Sequence, residues 1–211
     1  MKLIIGDQRW STWSMRPWLA LHRAGAAFEE IRVPLRQDGV TTEAIMAAGS
    51  PSGLVPVLID GELVLHDSLA ICEYLAERFP AARLWPADLQ ARALARAAAA
   101  EMHAGFTPVR RDLSMDIGAR HAVEIGEETA RSIRRIVTLW RDMIGRFGGP
   151  FLAGADWGNA DAFFTPVATR FVTYGIDLAT YGDDGAAAAY RDLLLAQPEY
   201  LAWERGALAE A

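Results

Sequence analysis

The segment around Asp60-Gly61 constrains the fold of this chain more than any other. Asp-Gly is a hairpin turn signal, and here it separates two short apolar runs, residues 55–59 and 63–65. A run of helical character, residues 69–79, follows at once. The segment therefore predicts a β-β-α unit whose helix begins at the polar pair Asp67-Ser68. Because the first N–H groups of a helix lack intrahelical partners and lie at its positive end, this helix start is a natural anion site.

The rest of the first 80 residues predicts a small mixed sheet with helices packed on it. Residues 2–6 form a short apolar run and residues 28–34 alternate between apolar and polar, as strands do. Between them, residues 11–24 have helical character, and Gly25 supplies the stop signal. A short helix at 43–48 completes the order βαβαββα.

Strand signals almost disappear after residue 80. We expect an α/β domain at 1–80, a linker at 81–87 around Leu84-Trp85-Pro86, and an all-helical domain at 88–211. The apolar periodicity predicts long helices at 89–117, 127–147 and 159–174, and shorter ones at 186–196 and 198–209.

Composition excludes several classes of protein. The formal net charge of −6 argues against a binder of duplex nucleic acid, which needs a basic surface. No apolar run reaches the ~18 residues of a membrane span, and the N-terminal run is too short for a signal sequence. The single cysteine, Cys72, excludes an internal disulfide, so we expect a cytoplasmic protein. His22, His66 and His121 have no partners at metal-ligand spacing, so we expect no metal site.

Taken together, this order of elements, the Gly53–Leu58 segment with its proline, and Asp67-Ser68 ahead of a helix resemble the cytosolic glutathione transferases. The likeness covers essentially the whole chain. It implies a thioredoxin-like N-terminal domain and an all-α C-terminal domain. It also implies glutathione as co-substrate, a small electrophilic substrate, and assembly as a homodimer.

Two pairs of residues are expected to bind glutathione on this resemblance. The family has a cis peptide bond before the proline that Pro56 matches, and there the backbone of Val55 would pair with the cysteinyl backbone of glutathione as a strand edge does. The pair Asp67-Ser68 would bind the γ-glutamyl end, with Asp67 accepting from its amino group and Ser68 donating to its carboxylate. The family usually has Glu or Gln where this chain has Asp67. Plain N-capping by Asp67 is an alternative that is compatible with binding.

The segment that carries the sulfur-activating residue in this family lies between the first strand and the first helix. Its pattern Ser11-x-x-Ser14-x-Arg16 is similar to the serine-type, zeta-like branch, and the match places Ser11 beside the glutathione sulfur. A hydroxyl donor at a helix start favours thiolate over thiol, whose ordinary pKa is about 8.5. Thr12 and Ser14 compete for the role, and Ser14 is also a candidate helix N-cap.

The same resemblance separates transfer from isomerisation. Trp13 stands where the zeta class has the cysteine of its isomerase chemistry, so we expect conjugation of glutathione to a soft hydrophobic electrophile. A glutathione-dependent isomerase and a non-catalytic binding protein of the same fold are the alternatives.

Residues of the helical domain are candidates for the electrophile pocket. With Trp13 as an aromatic wall, the helix at 89–117 would contribute a partly apolar surface carrying one cation. Core packing is an equal alternative for these side chains. Arg170 lies near the position of a pocket arginine in zeta-like proteins, whereas Asp161 matches a structural capping box. The candidates on the long helix are Met102, His103, Phe106 and Arg110, and those for the glycine carboxylate of glutathione are Arg36 and Gln37.

Overall fold

A computed structural model describes residues 1–36 and 41–210 of the chain. Every strand of this part lies within the first 66 residues, and the sheet is followed by helices only. The predicted fold class, an α/β part followed by an all-α part, is thereby confirmed. The elements are β1 (Lys2–Gly6), α1 (Thr12–Arg23), β2 (Glu29–Val33), α2 (Thr41–Ala47), β3 (Val57–Asp60), β4 (Leu63–His66), α3 (Ser68–Arg78), α4 (Leu89–Ala104), α5 (Thr107–Asp112), α6 (Glu127–Phe147), α7 (Asn159–Thr173), α8 (Ala186–Leu195) and α9 (Pro198–Ala209).

The four-stranded sheet has the order β2-β1-β3-β4, with β1 parallel to β2 and antiparallel to β3. Both faces of the inner strand β1 are covered by other parts of the chain. Leu3 and Ile5 face the large core shared with the helices, whereas Ile4 faces a second, smaller core with Val57 and Ile45. Because successive side chains of a strand point to opposite faces, this explains why residues 3–5 are all fully buried.

Helix α7 is the centre of the helical part. It packs against α1, α4 and α8, and Phe163, Phe164 and Phe171 on it are fully buried. Trp140 of α6 contacts the rings of Phe164 and Phe171 at centroid distances of 5.7 Å. A helix buried on nearly all sides belongs to a core. The packing of α7 on α1 therefore joins the helical part to the sheet-containing part.

The prediction of one helix over residues 89–117 is wrong. Helix α4 ends at Ala104, where Gly105 is extended and Phe106 has a left-handed φ of 58°. The guanidinium of Arg110 donates to the carbonyls of Gly105, Met102 and His103. It thus satisfies carbonyl groups that a helix end leaves unpaired. The remaining predicted helices are confirmed to within about two residues at each end.

No helix in the described residues is both long enough and apolar enough to span a membrane.

Asp161 ties the start of α7 to its surroundings, as the sequence predicted for a structural residue. Its carboxylate is 1% exposed and accepts hydrogen bonds from the N–H of Gly158 (2.8 Å), the N–H of Leu152 (3.1 Å) and the hydroxyl of Tyr190 (2.7 Å). Gly158 offers no side chain to the helix, so the cap consists of Asp161 alone. Burial raises the pKa of Asp161 to about 6, against the lowering effect of its three donors.

We expect Asp161→Ala to lower the free energy of unfolding by about 3 kcal/mol or more, because it leaves three buried donors without an acceptor. Urea denaturation followed by circular dichroism measures this loss. The matched control is Asp142→Ala on α6, a carboxylate for which we expect a change below about 0.5 kcal/mol. Equal losses in the two variants would contradict the structural role.

The raised pKa of Asp161 also makes a prediction about pH. The pKa of this carboxyl is higher in the folded state than its unfolded value of about 3.9, so the folded state binds the proton more tightly. The stability that this binding contributes is fully present below about pH 3.9 and is lost as pH rises through the folded pKa. Relative to the non-titrating Asp161→Asn variant, the wild type should therefore lose stability on the order of 2 kcal/mol between pH 4 and pH 7. Unfolding curves of both proteins across this range provide the test, and a difference independent of pH would refute it.

Candidate active site

A cleft of about 270 Å³ lies between the start of α3, the turn before β3 and the C-terminal part of α4. The sequence analysis named six of its lining residues as candidates: Trp13, Val55, Pro56, Asp67, Ser68 and His103. The lining comprises Trp13, Ser52, Leu54, Val55, Pro56, His66, Asp67, Ser68 and His103.

One wall of the cleft offers free backbone. The Val55–Pro56 peptide bond is cis, as the resemblance implied. Val55 precedes β3, and its N–H and C=O make no hydrogen bond within the described part of the chain. An extended ligand can therefore pair with this residue through main-chain hydrogen bonds.

The opposite wall is the start of α3. The Oδ1 atom of Asp67 accepts from the N–H groups of Leu69 (2.8 Å) and Ala70 (3.1 Å), and the Asp67 carbonyl accepts from Ile71. Asp67 is thus the helix N-cap, the alternative that the sequence left open. Its Oδ2 atom and the N–H and hydroxyl of Ser68 lie at a helix end with positive dipole character. A carboxylate acceptor thereby stands next to two donors, which suits a zwitterionic amino-acid group.

The three candidate hydroxyls at the start of α1 differ in their surroundings. Ser11 is the N-cap of α1, and its Oγ lies 3.3 Å from the N–H of Ser14 and 2.7 Å from the Ser14 hydroxyl. Ser14 is fully buried and accepts from the N–H of Gly6 (3.2 Å), so its hydroxyl belongs to the junction of α1 and β1. Thr12 is 5% exposed, and its side chain makes no hydrogen bond to the described residues. Ser11, Thr12 and Ser14 are not among the residues that line the cleft.

Arg16 lies beneath the cleft, fully buried. Its guanidinium carbon is 4.3 Å from the ring centre of Trp13 and 4.5 Å from that of Phe163. Its Nη1 donates to the hydroxyl of Ser68 at 3.2 Å, while Nε and Nη2 have no hydrogen-bond partner among the described residues. Burial, together with the charges of Arg110 and Arg170, holds the pKa of Arg16 well below its ordinary value.

Two further arginines, half-buried Arg110 and buried Arg170, complete a cluster of cations. The guanidinium carbon of Arg110 lies 4.8 Å from the ring centre of Trp13. Arg170 is 4% exposed, and its Nε and Nη1 atoms have no hydrogen-bond partner in the part of the chain that the structure describes. Burial and the nearby charge of Arg110 lower the pKa of Arg170 to about 9. Within the described residues no carboxylate forms an ion pair with any of the three, so this region favours an anionic ligand.

The structure does not bring all predicted pocket residues to the cleft. Met102 is fully buried in the core, and Phe106 lines a separate depression with Pro108 and Arg131. Arg36 stacks on Trp10, with its guanidinium carbon 4.5 Å from the ring centre. Gln37 lies outside the described residues.

Sequence reasoning missed the contacts that the C-terminal helix makes with the loop before α1. The indole N–H of Trp203 donates to the carbonyl of Gln8 (2.8 Å). The carboxylate of Glu210 accepts from the N–H groups of Gln8 (3.0 Å) and Arg9 (3.1 Å). Because more than 190 residues separate these partners, no local sequence signal indicates the contact.

The described residues contain no group of three or more side chains suited to hold a metal ion. Cys72 is fully buried, and burial raises its pKa far above the ordinary value. A thiol in this environment is inert at neutral pH.

Comparison with known proteins gives a consistent picture. A sequence model of the family "Glutathione S-transferase, N-terminal domain" matches residues 10–78. Glutathione S-transferase 1 of Dianthus caryophyllus is 32% identical over 178 residues, which cover 80% of this chain and 76% of that protein.

Solved structures extend the likeness to the whole chain. A bacterial zeta-class glutathione S-transferase, a maleylpyruvate isomerase, is 25% identical with a TM-score of 0.75, covering 98% of both chains. A sphingomonad glutathione S-transferase in complex with glutathione is 25% identical with a TM-score of 0.69, again covering 98% of each chain. On the identity and coverage of its relatives, together with the family match and the fold, this chain belongs to the glutathione S-transferase family.

Proposed function

We propose that this protein is a glutathione transferase that binds glutathione in the cleft between α3, α4 and the turn before β3. The observation that carries the proposal is the pairing of free Val55 backbone with Asp67-Ser68 across one cleft. The N–H and C=O of Val55 bind the cysteinyl backbone of glutathione. Ser68 donates to the γ-glutamyl carboxylate, and Asp67 accepts from the amino group. Solved relatives with bound glutathione support this assignment.

The sulfur of the bound tripeptide would point toward the start of α1. We assign thiolate stabilisation to the Ser11 hydroxyl, which rotates from its contact with Ser14 to donate to the sulfur. Thr12, whose hydroxyl is free of hydrogen bonds in the described chain, is the competing donor. The buried position of Ser14 supports a structural role for that hydroxyl. The positive end of the α1 dipole adds to the stabilisation of the thiolate.

The reaction is a nucleophilic substitution or addition. With a chlorinated aromatic acceptor, the thiolate forms a carbon–sulfur bond, chloride leaves with the bonding electron pair, and the thiol proton passes to solvent. The protein supplies proximity and a fixed set of dipoles. From the resemblance we also propose a cytoplasmic homodimer.

We expect Ser11→Ala to lower kcat/KM for a chlorinated aromatic acceptor about 10- to 100-fold and to raise the pKa of bound glutathione. Steady-state kinetics and the ultraviolet absorbance of the thiolate measure the two effects. Thr12→Val, which removes the neighbouring hydroxyl at nearly constant volume, is the matched control and should change both by less than about threefold.

The opposite pattern in the two variants would transfer the role to Thr12. Glutathione capture without turnover, unaffected by either substitution, would favour a non-catalytic binding protein. Failure of the wild type to bind glutathione at millimolar concentration would refute the enzymatic assignment altogether.

A second candidate function is a glutathione-dependent isomerase acting on a carboxylate-bearing substrate. The cations Arg16, Arg110 and Arg170, which have no carboxylate partner among the described residues, favour it, as does the likeness to a maleylpyruvate isomerase. In this reaction the thiolate adds to a cis carbon–carbon double bond, the resulting single bond rotates, and elimination returns the thiolate with the trans product. No glutathione is consumed. Trp13 occupies the position of the zeta-class cysteine, and the absence of that thiol favours conjugation over isomerisation.

If the substrate is anionic, Arg170→Met should lower kcat/KM for maleylpyruvate more than tenfold while changing the rate with a neutral chlorinated aromatic less than about threefold. The methionine keeps most of the buried volume and removes the charge. Arg131→Met, on the exposed face of α6, controls for a general loss of positive charge. Parallel losses with both substrates would indicate a folding defect rather than substrate recognition, and thermal unfolding of the variant distinguishes the two.

A further inference from the structure

His103 contacts residues at the starts of both α1 and α3, although it lies on α4 in the helical part. Its Nε2 atom is 3.2 Å from Oδ2 of Asp67, and its Nδ1 atom is 3.5 Å from Nη1 of Arg16. The same Arg16 nitrogen donates to the hydroxyl of Ser68 at 3.2 Å. The ring of Trp13 meets the imidazole edge-on at a centroid distance of 5.2 Å. His103 therefore contacts one member of the predicted γ-glutamyl pair directly and the other through Arg16.

The neighbours of His103 fix its protonation. Arginine is a donor only, so the Nδ1 atom that faces Arg16 has to be an acceptor. The proton then resides on Nε2, which lies 3.2 Å from the carboxylate oxygen of Asp67. Only the neutral imidazole with its proton on Nε2 satisfies both neighbours.

The carboxylate of Asp67 is thereby held from two sides. Its Oδ1 accepts from the N–H groups of Leu69 and Ala70 at the start of α3, and its Oδ2 lies 3.2 Å from Nε2 of His103. Asp67 itself has an unusual left-handed φ of 75°. The contacts on Oδ1 and Oδ2 restrict the orientation of this carboxylate, and a lone pair of Oδ2 remains for a ligand.

We propose that His103 is a positioning residue of the γ-glutamyl site: it orients Asp67 toward the ligand amino group and, through Arg16, orients Ser68. Because Ser68 accepts from Arg16, its own proton is free to donate to the ligand carboxylate. His103 thus serves glutathione binding rather than the electrophile pocket to which its place on α4 pointed. This inference rests on the proposed function.

The charges around His103 keep it neutral. Asp67 from α3, Arg16 from α1 and Arg110 from α5 face the ring, and from α7 it meets the aromatic ring of Phe163. Burial lowers the pKa of His103, and the charges of Arg16 and Arg110 lower it further, against the raising effect of Asp67. At pH 7 the imidazole is therefore uncharged.

Protonation would undo the arrangement. The Nδ1 atom would become a second donor facing a cation, and the imidazolium would compete with the ligand ammonium group for Asp67. Affinity for glutathione should therefore fall as pH drops through the pKa of His103 and be regained as pH rises. The thiolate of glutathione also becomes scarcer as pH drops, but its loss lowers kcat, whereas protonation of His103 raises KM.

The test compares two substitutions across pH. His103→Phe removes both nitrogen contacts, and we expect it to raise KM for glutathione about tenfold with less than a threefold change in kcat. His103→Gln keeps an N–H within reach of Asp67 and does not titrate. It should restore most of the affinity and abolish the rise of KM at acidic pH. His22→Gln on α1 is the matched control, because burial lowers the pKa of His22 as well but it lies against Trp18 and Phe28.

Two outcomes would overturn the proposal: unchanged KM in His103→Phe, or an acid limb that persists in His103→Gln. If His103→Phe fails to fold, nitrogen NMR of the wild type decides the matter, since the signals of the imidazole report its tautomer directly. A proton on Nδ1 would refute the arrangement. Failure of the wild type to bind immobilised glutathione would instead overturn the proposed function, so the two failures are distinguishable.

Discussion

The candidate site depends on the contacts that surround the buried guanidinium of Arg16. A charge in the interior is costly unless other groups compensate for its lost hydration. Here no carboxylate among the described residues forms an ion pair with Arg16, and the charge of Asp67 compensates only in part. Two aromatic rings, Trp13 and Phe163, enclose the cation at 4.3 and 4.5 Å, and desolvated cation–π contacts each contribute about 2 kcal/mol. The hydroxyl of Ser68 and the imidazole of His103 supply the remaining contacts. Arg16 therefore joins α1, α3, α4 and α7 at one point.

This arrangement explains how the two parts of the chain build a single cleft. The starts of α1 and α3 come from the sheet-containing part, and both present unpaired donors at their positive ends. Helix α4 contributes His103, and Phe163 of α7 covers the Arg16 guanidinium. On the far side, Trp203 and Glu210 of the C-terminal segment hold the loop that leads into Ser11. The helical part thus positions groups of the sheet-containing part as well as providing room for a second substrate.

Local sequence signals predicted most of the helices and strands but not the contacts that assemble the site. Signals from neighbouring residues predict three features that the structure contains. They are the hairpin at Asp60-Gly61, the N-cap at Asp67 and the helix at 127–147. The break after Ala104 was missed although Gly105 and Pro108 signal it, because the alanine-rich sequence before it strongly favours helix. The left-handed Phe106 depends on hydrogen bonds that Arg110 makes after folding. Contacts between Arg16 and Phe163, or Gln8 and Trp203, join residues far apart in the chain, so no periodicity reveals them.

The distribution of charge in the site gives a last constraint on what it binds. Asp67 presents a negative charge on one side of Ser68, and Arg16 lies beneath Ser68 on the other. Such a separated pair is complementary to a zwitterion, as the amino-acid end of a γ-glutamyl peptide is. Arg110 and Arg170 continue the positive region beyond Trp13, where no described carboxylate pairs with them. Since electrostatic complementarity selects partners more than it adds affinity, the Asp67 side of the cleft favours the co-substrate and the arginine side favours an acidic second substrate.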